Sequence, residues 1–336
     1  MAYPLGTPFS GSAPNPAYSG TFIPEIWSGK MVEKFYDATV LAAIANTNYE
    51  GEIKNQGDKV KIRTKPTISI RAYEANQALT VDRPSSNIVE LLIDKGYYFN
   101  TILDDVMEVQ SDLNQMDMWA ADASEQMKIQ IDTEVLTYMV SRLHTLDTGT
   151  VQTGTTAGRI SGNINLGAIG TWNAGVHQDN AAPLDIVATG PTAGQKTPID
   201  ILVDLGQVLD EQNIPESGRW VVIPAWFAAR IKKSELRDAS LSGDGTSMLR
   251  NGRLGMIDRF TLYSSNLLPT YNSTAGGDAT ALLAGHSHGM TFASQLSKVE
   301  TLRGETTFGT YLRGLQVYGR SLIDYTALTV AAVRGA

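Results

Sequence analysis

The chain has 336 residues, of which 42% are hydrophobic and 18% charged, with 31 glycines and 13 prolines; this suits a folded protein with a sizeable apolar core and excludes wholesale disorder, collagen and a coiled-coil rod. Lysine and arginine total 27 against 35 acidic residues, a net charge of −8, so gripping phosphate backbones is not its main task. Cysteine is absent, which removes disulfides, thiolate metal sites, iron–sulfur ligation and cysteine nucleophiles.

The first cationic side chain is Lys30 and no apolar h-region opens the chain. No apolar run reaches the roughly 18–20 residues of a membrane span, so the expectation is a soluble, unexported product with no membrane partner.

Met1 to Thr21 is dense in Pro, Gly, Ser and Ala and reads as an extended arm. Trp27, Met31, Phe35, Ala38 and Ala42 then recur at helical spacing behind Pro24, which predicts an amphipathic helix from Ile23 to Ala45. From Gly57 the period changes to two: Val60 and Ile62 alternate with Lys59, Lys61 and Arg63, Ile68 and Ile70 follow Pro66, and Ile88 to Ile93 forms another β-like run. A long β-hairpin excursion is the expectation.

Between Gly96 and Gly149 there is neither glycine nor proline. Val109, Leu113, Met116, Ala120, Ala123, Met127, Ile131, Val135, Met139 and Leu143 keep a helical stripe, which predicts one long helix from Asp104 to Leu143. Leu146 to Gly194 is rich in Gly, Thr and Asn and reads as an inserted loop or small β subdomain on the surface. Compact α/β alternation follows: a helix over Pro198–Ile214, a strand over Trp220–Ile223 and a helix over Ala225–Lys233. A Gly/Ser loop spans Ser240–Ser247. Strands are expected at Arg259–Tyr263, Thr280–Ala284, Lys298–Arg303, Tyr311–Tyr318 and Ala327–Ala332.

Three motifs invite chemistry. Gly285-His286-Ser287-His288-Gly289 matches G-x-S-x-G, the strand-to-helix turn that presents a nucleophilic serine, but no histidine follows His288 to act as its base. His286 and His288 share a strand face and could hold a metal, yet no third ligand is apparent, and a polar turn is the better account. Gly190 to Thr197 resembles a phosphate-cradling loop but carries Gln195 where glycine is required before Lys196-Thr197. No catalytic residue, cofactor or metal is therefore assigned.

Charge patterning says more. Lys54, Lys59, Lys61, Arg63, Lys65 and Arg71 face only Asp58 in the hairpin region, whereas Asp104, Asp105, Glu108, Asp112, Asp117, Asp122, Glu125, Asp132 and Glu134 dominate the helix region against Lys128 and Arg142. The expectation is that the basic hairpin of one copy lies across the acidic helix of the next, from Asp104 to Glu125. Such complementarity steers association and fixes register more than it adds affinity.

The order of these parts resembles the major capsid proteins of tailed bacteriophages, the Hong Kong 97-type fold. The most specific stretches are Trp220-Val-Val-Ile-Pro224, Gly255-Met-Ile-Asp-Arg-Phe-Thr-Leu-Tyr-Ser-Ser-Asn266-Leu-Leu-Pro269, Thr280 to Phe292, Thr301-Leu-Arg303, Phe308-Gly309 and Gly314-Leu-Gln-Val-Tyr-Gly319. The resemblance implies an α+β chain with an N-terminal arm and helix (1–50), an extended β-hairpin loop (51–100) and the spine helix of a peripheral domain (101–145). A Gly/Thr-rich insertion (146–197), an axial domain (198–271) and C-terminal strands completing both domains (272–336) would follow.

It also implies the function: a virion shell subunit that self-assembles into pentamers and hexamers of an icosahedral capsid around double-stranded DNA, without sequence-specific binding. Portal, scaffold and cement proteins would be its partners and the host bacterial cytoplasm its place of assembly. An encapsulin-like nanocompartment keeps the fold and changes the cargo; a Ser287 hydrolase is the alternative from another class. An acidic shell suits packed DNA, because negative charge on an inner wall avoids adhesion.

Overall fold

The computed structural model describes residues 39–49, 59–66, 68–86, 88–105, 115–146, 165–166, 183–192, 195–234, 255–273, 277–304 and 308–335. The expected N-terminal arm, most of the expected Ile23–Ala45 helix and the Ser240–Ser247 loop lie outside them. The end of that helix is present as α1, Leu41–Ile44.

At the centre is a mixed sheet of eight strands: β4 (Leu184–Ile186), β5 (Gln195–Lys196), β6 (Arg219–Ile223), β7 (Met256–Ile257), β8 (Phe260–Ser264), β9 (Thr270–Ser273), β10 (Gly277–His286) and β13 (Leu328–Gly335). The spatial order is β5-β4-β13-β10-β6-β8-β7, with β9 pairing β10 off that path. Both faces are buried, and the alternation of side chains along each strand divides them cleanly. Trp220, Val222, Ala281, Leu283, Val330 and Ala332 belong to the core on one face. Val221, Ile223, Leu282, Ala284, Ala331 and Val333 belong to the core on the other.

The first face is covered by α2, Gln115–Leu146, through Ile131, Val135, Leu136, Met139, Val140 and Leu143. The second is covered by α3 (Pro198–Glu211) and α4 (Ala225–Lys233). Thr197-Pro198-x-Asp200 starts α3 with a capping box, Asp200 N–H to Thr197 Oγ1 at 3.2 Å and Thr197 N–H to Asp200 Oδ2 at 3.0 Å. Asn213, at φ 58°, ends it in the left-handed conformation that closes helices. Pro224 separates β6 from α4.

A second sheet of three antiparallel strands, in the order β11-β12-β3, joins β11 (Met290–Arg303) and β12 (Gly309–Leu322) to β3 (Lys95–Asp104). The chain enters it from β10 at the His286–Gly289 turn and returns to the central sheet through a 3-10 turn, Tyr325–Ala327. β1 (Lys59–Arg63) and β2 (Ile88–Leu92) form a separate two-stranded hairpin, Lys59 opposite Leu92 and Arg63 opposite Ile88.

Three sequence expectations need correction. Asp104 does not begin the long helix but ends β3, which pairs with β12 along its whole length, from Lys95 opposite Tyr318 to Asp104 opposite Gly309. Tyr97, Tyr98, Phe99 and Ile102 suit a pleated surface, and the ladder they complete outweighs the absence of any helix breaker. Ile68 and Ile70 are not in a strand; the hairpin ladder stops at Arg63. Residues 146–197 are not simply a surface insertion: Leu166, Leu184 and Ile186 belong to the core beneath the central sheet. There β4 pairs parallel to β13, and the Leu166 amide and carbonyl bond the Val330 carbonyl and the Ala332 amide, each at 2.9 Å.

Candidate assembly surface

The hairpin stem holds its basic residues in register. Alternation along β1 turns Val60 and Ile62 toward a small core with Leu91 and Ala293, and leaves Lys59, Lys61 and Arg63 exposed in one row. Lys61 is opposite Glu90, 3.7 Å away, and Ile88 and Leu92 flank the row at 54% and 45% exposure.

Beyond the stem, residues 64–66 and 68–86 run out without a ladder. Ile68, Ile70, Tyr73, Leu79 and Val81 are 69–96% exposed, an apolar content that one copy of the chain does not bury. Arg71 straps the two legs together with hydrogen bonds of 2.9 and 3.1 Å to the Asp82 carboxylate. A cleft of about 460 Å³ beside this pair is lined by Lys65, Arg71 and Arg83 with Asp82 as its one acid.

The acidic set is less united than its sequence suggests. Lys54, Glu108 and Asp112 lie outside the described residues. Asp104 ends β3, and Asp105, the residue after it, pairs with Arg303 of the same chain. Asp117 is exposed in the first turn of α2, Asp122 is half-buried one turn on, and Glu125 pairs with Lys128 at 2.6 Å. Of the described acids, Asp104 thus ends a strand, whereas Asp117, Asp122 and Glu125 lie in the first half of α2.

A second exposed face was not foreseen. On the outer side of the three-stranded sheet, Lys298, Leu315 and Tyr98 lie in one cross-strand row, Glu300, Arg313 and Asn100 in the next, and Leu302, Tyr311 and Ile102 in the third. Tyr98 is 79% exposed, and Ile102, Leu302 and Leu315 are each at least 40% exposed. Lys298 at 2.6 Å, together with Arg313, holds the Glu300 carboxyl below the usual carboxylate range. The clue in the sequence was the alternation from Lys95 to Leu103, which lies before the expected helix and went largely to the extended hairpin loop (51–100).

The motifs that suggested catalysis resolve into structure. Gly285 to Gly289 is a turn that passes from β10 of the central sheet to β11 of the three-stranded sheet, with a strand and no helix behind it, so Ser287 does not sit on a nucleophile elbow. A Cβ at Gly285 would stand 2.5 Å from Leu328 Cδ2, and one at Gly289 2.6 Å from Leu328 Cγ; the glycines allow close packing. His286 Nδ1 accepts the His288 amide hydrogen at 3.1 Å instead of facing a metal. Among the described residues no cluster of three metal-ligating side chains occurs. Lys196 pairs with Asp204 at 2.5 Å, at the entrance of α3. Among the described residues no helix is long and apolar enough to cross a membrane.

Sequence comparison matches no family model and no curated protein. Structural comparison does find likeness across the chain. A solved structure from Mycobacterium phage Che8 superposes with a TM-score of 0.69 at 24% identity, covering 94% of this chain and 98% of that one. The capsid of the cyanophage P-SCSP1u gives 0.65 at 14% identity, covering 94% of each chain. The mature capsid of bacteriophage PhiM1 gives 0.59 at 13% identity, covering 97% and 98%. The chain thus has the mixed α+β fold of phage capsid chains, over nearly its whole length and theirs.

Proposed function

We propose that this chain is the major capsid protein of a tailed, double-stranded DNA bacteriophage, self-assembling into the pentamers and hexamers of an icosahedral shell that encloses the genome. The observation that carries the reading is the likeness to phage capsid chains over 94–97% of this chain. The unburied hairpin supports it independently. A two-stranded excursion is marginal in water by itself, and this one carries exposed apolar side chains on both legs. A neighbouring copy is the surface that would bury them.

In this reading the fold is of the Hong Kong 97 type. The central sheet with α3 and α4 is the axial domain around the capsomer centre, α2 and the three-stranded sheet form the peripheral domain, and the hairpin is the extended loop that overlaps the next subunit. Residues 1–50 contribute the N-terminal arm. The basic hairpin residues, Lys54 to Arg71, meet the acids between Asp104 and Glu125 of that neighbour. Lys61, Arg71, Asp105 and Glu125 already have partners in their own chain, which shifts the steering to Lys59, Arg63 and Lys65 on the basic side. Assembly takes place in the host cytoplasm with portal, scaffold and cement proteins, and DNA is enclosed without being read.

The test is a pair of variants. Ile70→Asp with Val81→Asp changes side chains that are 96% and 86% exposed, so the free subunit should keep its stability to within about 0.5 kcal/mol. Assembly, followed by sedimentation, should be lost. Lys59→Glu with Lys61→Glu and Arg63→Glu should slow assembly, and more so at low salt. Shells formed by both variants at wild-type rates would remove the hairpin from the interface.

A further inference from the structure

The β1–β2 ladder ends at the pair Arg63 and Ile88, yet the two legs of the hairpin do not part for good. Further out the Arg71–Asp82 pair rejoins them, so the stretch between is an eye, closed at one end by the ladder and at the other by an ion pair. Pro66 on one leg and Pro84 on the other line it. A proline has no N–H to give to a ladder, and one on each leg keeps the strands from zipping shut. The opening they leave is the cleft of about 460 Å³ described above.

The same two prolines place the cations of the eye. Lys65 precedes Pro66 and Arg83 precedes Pro84, and a proline ring restricts the residue before it to extended backbone. Both cations line the cleft, from opposite legs, together with the hydroxyl-bearing Ser69 and Ser85. The one acid on the wall, Asp82, has both carboxylate oxygens engaged by Arg71, at 2.9 and 3.1 Å. Among the described residues neither Lys65 nor Arg83 takes part in an ion pair. The eye therefore carries two cations whose counter-charge is not supplied by its own walls.

We propose that this eye is a binding site for a small oxyanion with two linked charged groups, of the diphosphate kind. Two linked groups let one ligand answer both legs at once, the guanidinium fork of Arg83 taking oxygens in pairs and Lys65 acting as a compact charge. The hydroxyls of Ser69 and Ser85 are donors for the remaining oxygens. The ladder and the Arg71–Asp82 pair hold the opening from both ends before any ligand enters, so little ordering of the chain opposes binding. The inference concerns a single copy of the chain and does not depend on the shell reading.

The test is equilibrium dialysis of the full chain against radiolabelled pyrophosphate, in metal-free buffer at about 0.15 M ionic strength, where exposed charges beyond roughly 8 Å are screened. Binding should saturate at one pyrophosphate per chain. Lys65→Gln with Arg83→Gln should weaken it about tenfold or more, as expected for the loss of charge-assisted hydrogen bonds. Both side chains are exposed, so the fold should tolerate the change. Lys59→Gln with Arg63→Gln removes the same charge from the stem of the same hairpin, outside the eye, and should weaken binding by less than about threefold. Absence of saturable binding, or an equal loss in the two variants, would show only a diffuse counterion effect and overturns the proposal.

Discussion

The Tyr318 hydroxyl donates a 2.9 Å hydrogen bond to Glu134 Oε2, joining β12 of the three-stranded sheet to α2 beneath the central one. Arg320 completes the contact: it pairs with the same carboxylate, donates to the Glu134 carbonyl at 3.2 Å and lies 3.9 Å over the Tyr138 ring. Burial, and then the Glu134 carboxylate, push the Tyr318 phenol above its ordinary range, which keeps it a donor. The two sheets and the long helix are pinned together here.

Removing Arg320 should therefore cost more than removing the phenol. Arg320→Ala leaves Glu134 with its charge partner gone in a site where the side chains are only 10% and 21% exposed, and should destabilise the chain by about 2–3 kcal/mol, partly relieved by solvent. Tyr318→Phe should cost about 1–2 kcal/mol. Urea denaturation of the free subunit measures both.

The G-x-S-x-G turn makes an opposite pair of predictions. Gly289→Ala forces a Cβ against Leu328 and should cost about 1–3 kcal/mol by overpacking. Ser287→Ala should change stability by less than about 0.5 kcal/mol, as at an ordinary surface turn. A fluorophosphonate probe should label neither the wild type nor the variant.

His286 sets a pH dependence. Burial, then the neighbouring His288 and Arg219, hold its pKa below the ordinary histidine value of 6.5, and Nδ1 is already used as an acceptor. The folded state therefore favours neutral His286. The stability this contributes is full above the unfolded value and is lost as pH falls through the lower folded one. Denaturation midpoints measured from pH 7.5 downward should fall from the mid-6 range in the wild type, and His286→Gln should flatten that part of the curve.

How far the sequence could be read depended on how local each signal was. The expected helix over Pro198–Ile214, strand over Trp220–Ile223 and helix over Ala225–Lys233 lie on α3, β6 and α4, the first running three residues too far, because helical and strand periodicity is a local signal. The strand β3 was missed, since the pairing with β12 that makes it comes from some 200 residues away. Leu166, β4 and β5 were hidden for a related reason: runs of two or three residues in a Gly/Thr-rich stretch have no periodicity, and only their partner β13 reveals them. The basic row on β1 was legible from its alternation, whereas among the acids expected to receive it Asp104 ends β3 instead of opening a helix.

Leu166 gives that last class of element a measurable weight. It is fully buried between β13 and the core around α3, so Leu166→Ala should cost about 2–5 kcal/mol by the cavity it leaves. A surface insertion would lose almost nothing. Thermal or urea denaturation of the free subunit distinguishes the two.

The central claim is that this chain builds a shell, and negative-stain electron microscopy of the wild-type protein expressed alone, paired with its sedimentation profile, tests it most directly. The account predicts closed shells, or rings of five and six subunits, that disappear in the Ile70→Asp, Val81→Asp variant. A wild type that stays monomeric at every concentration and sediments identically to that variant would contradict it.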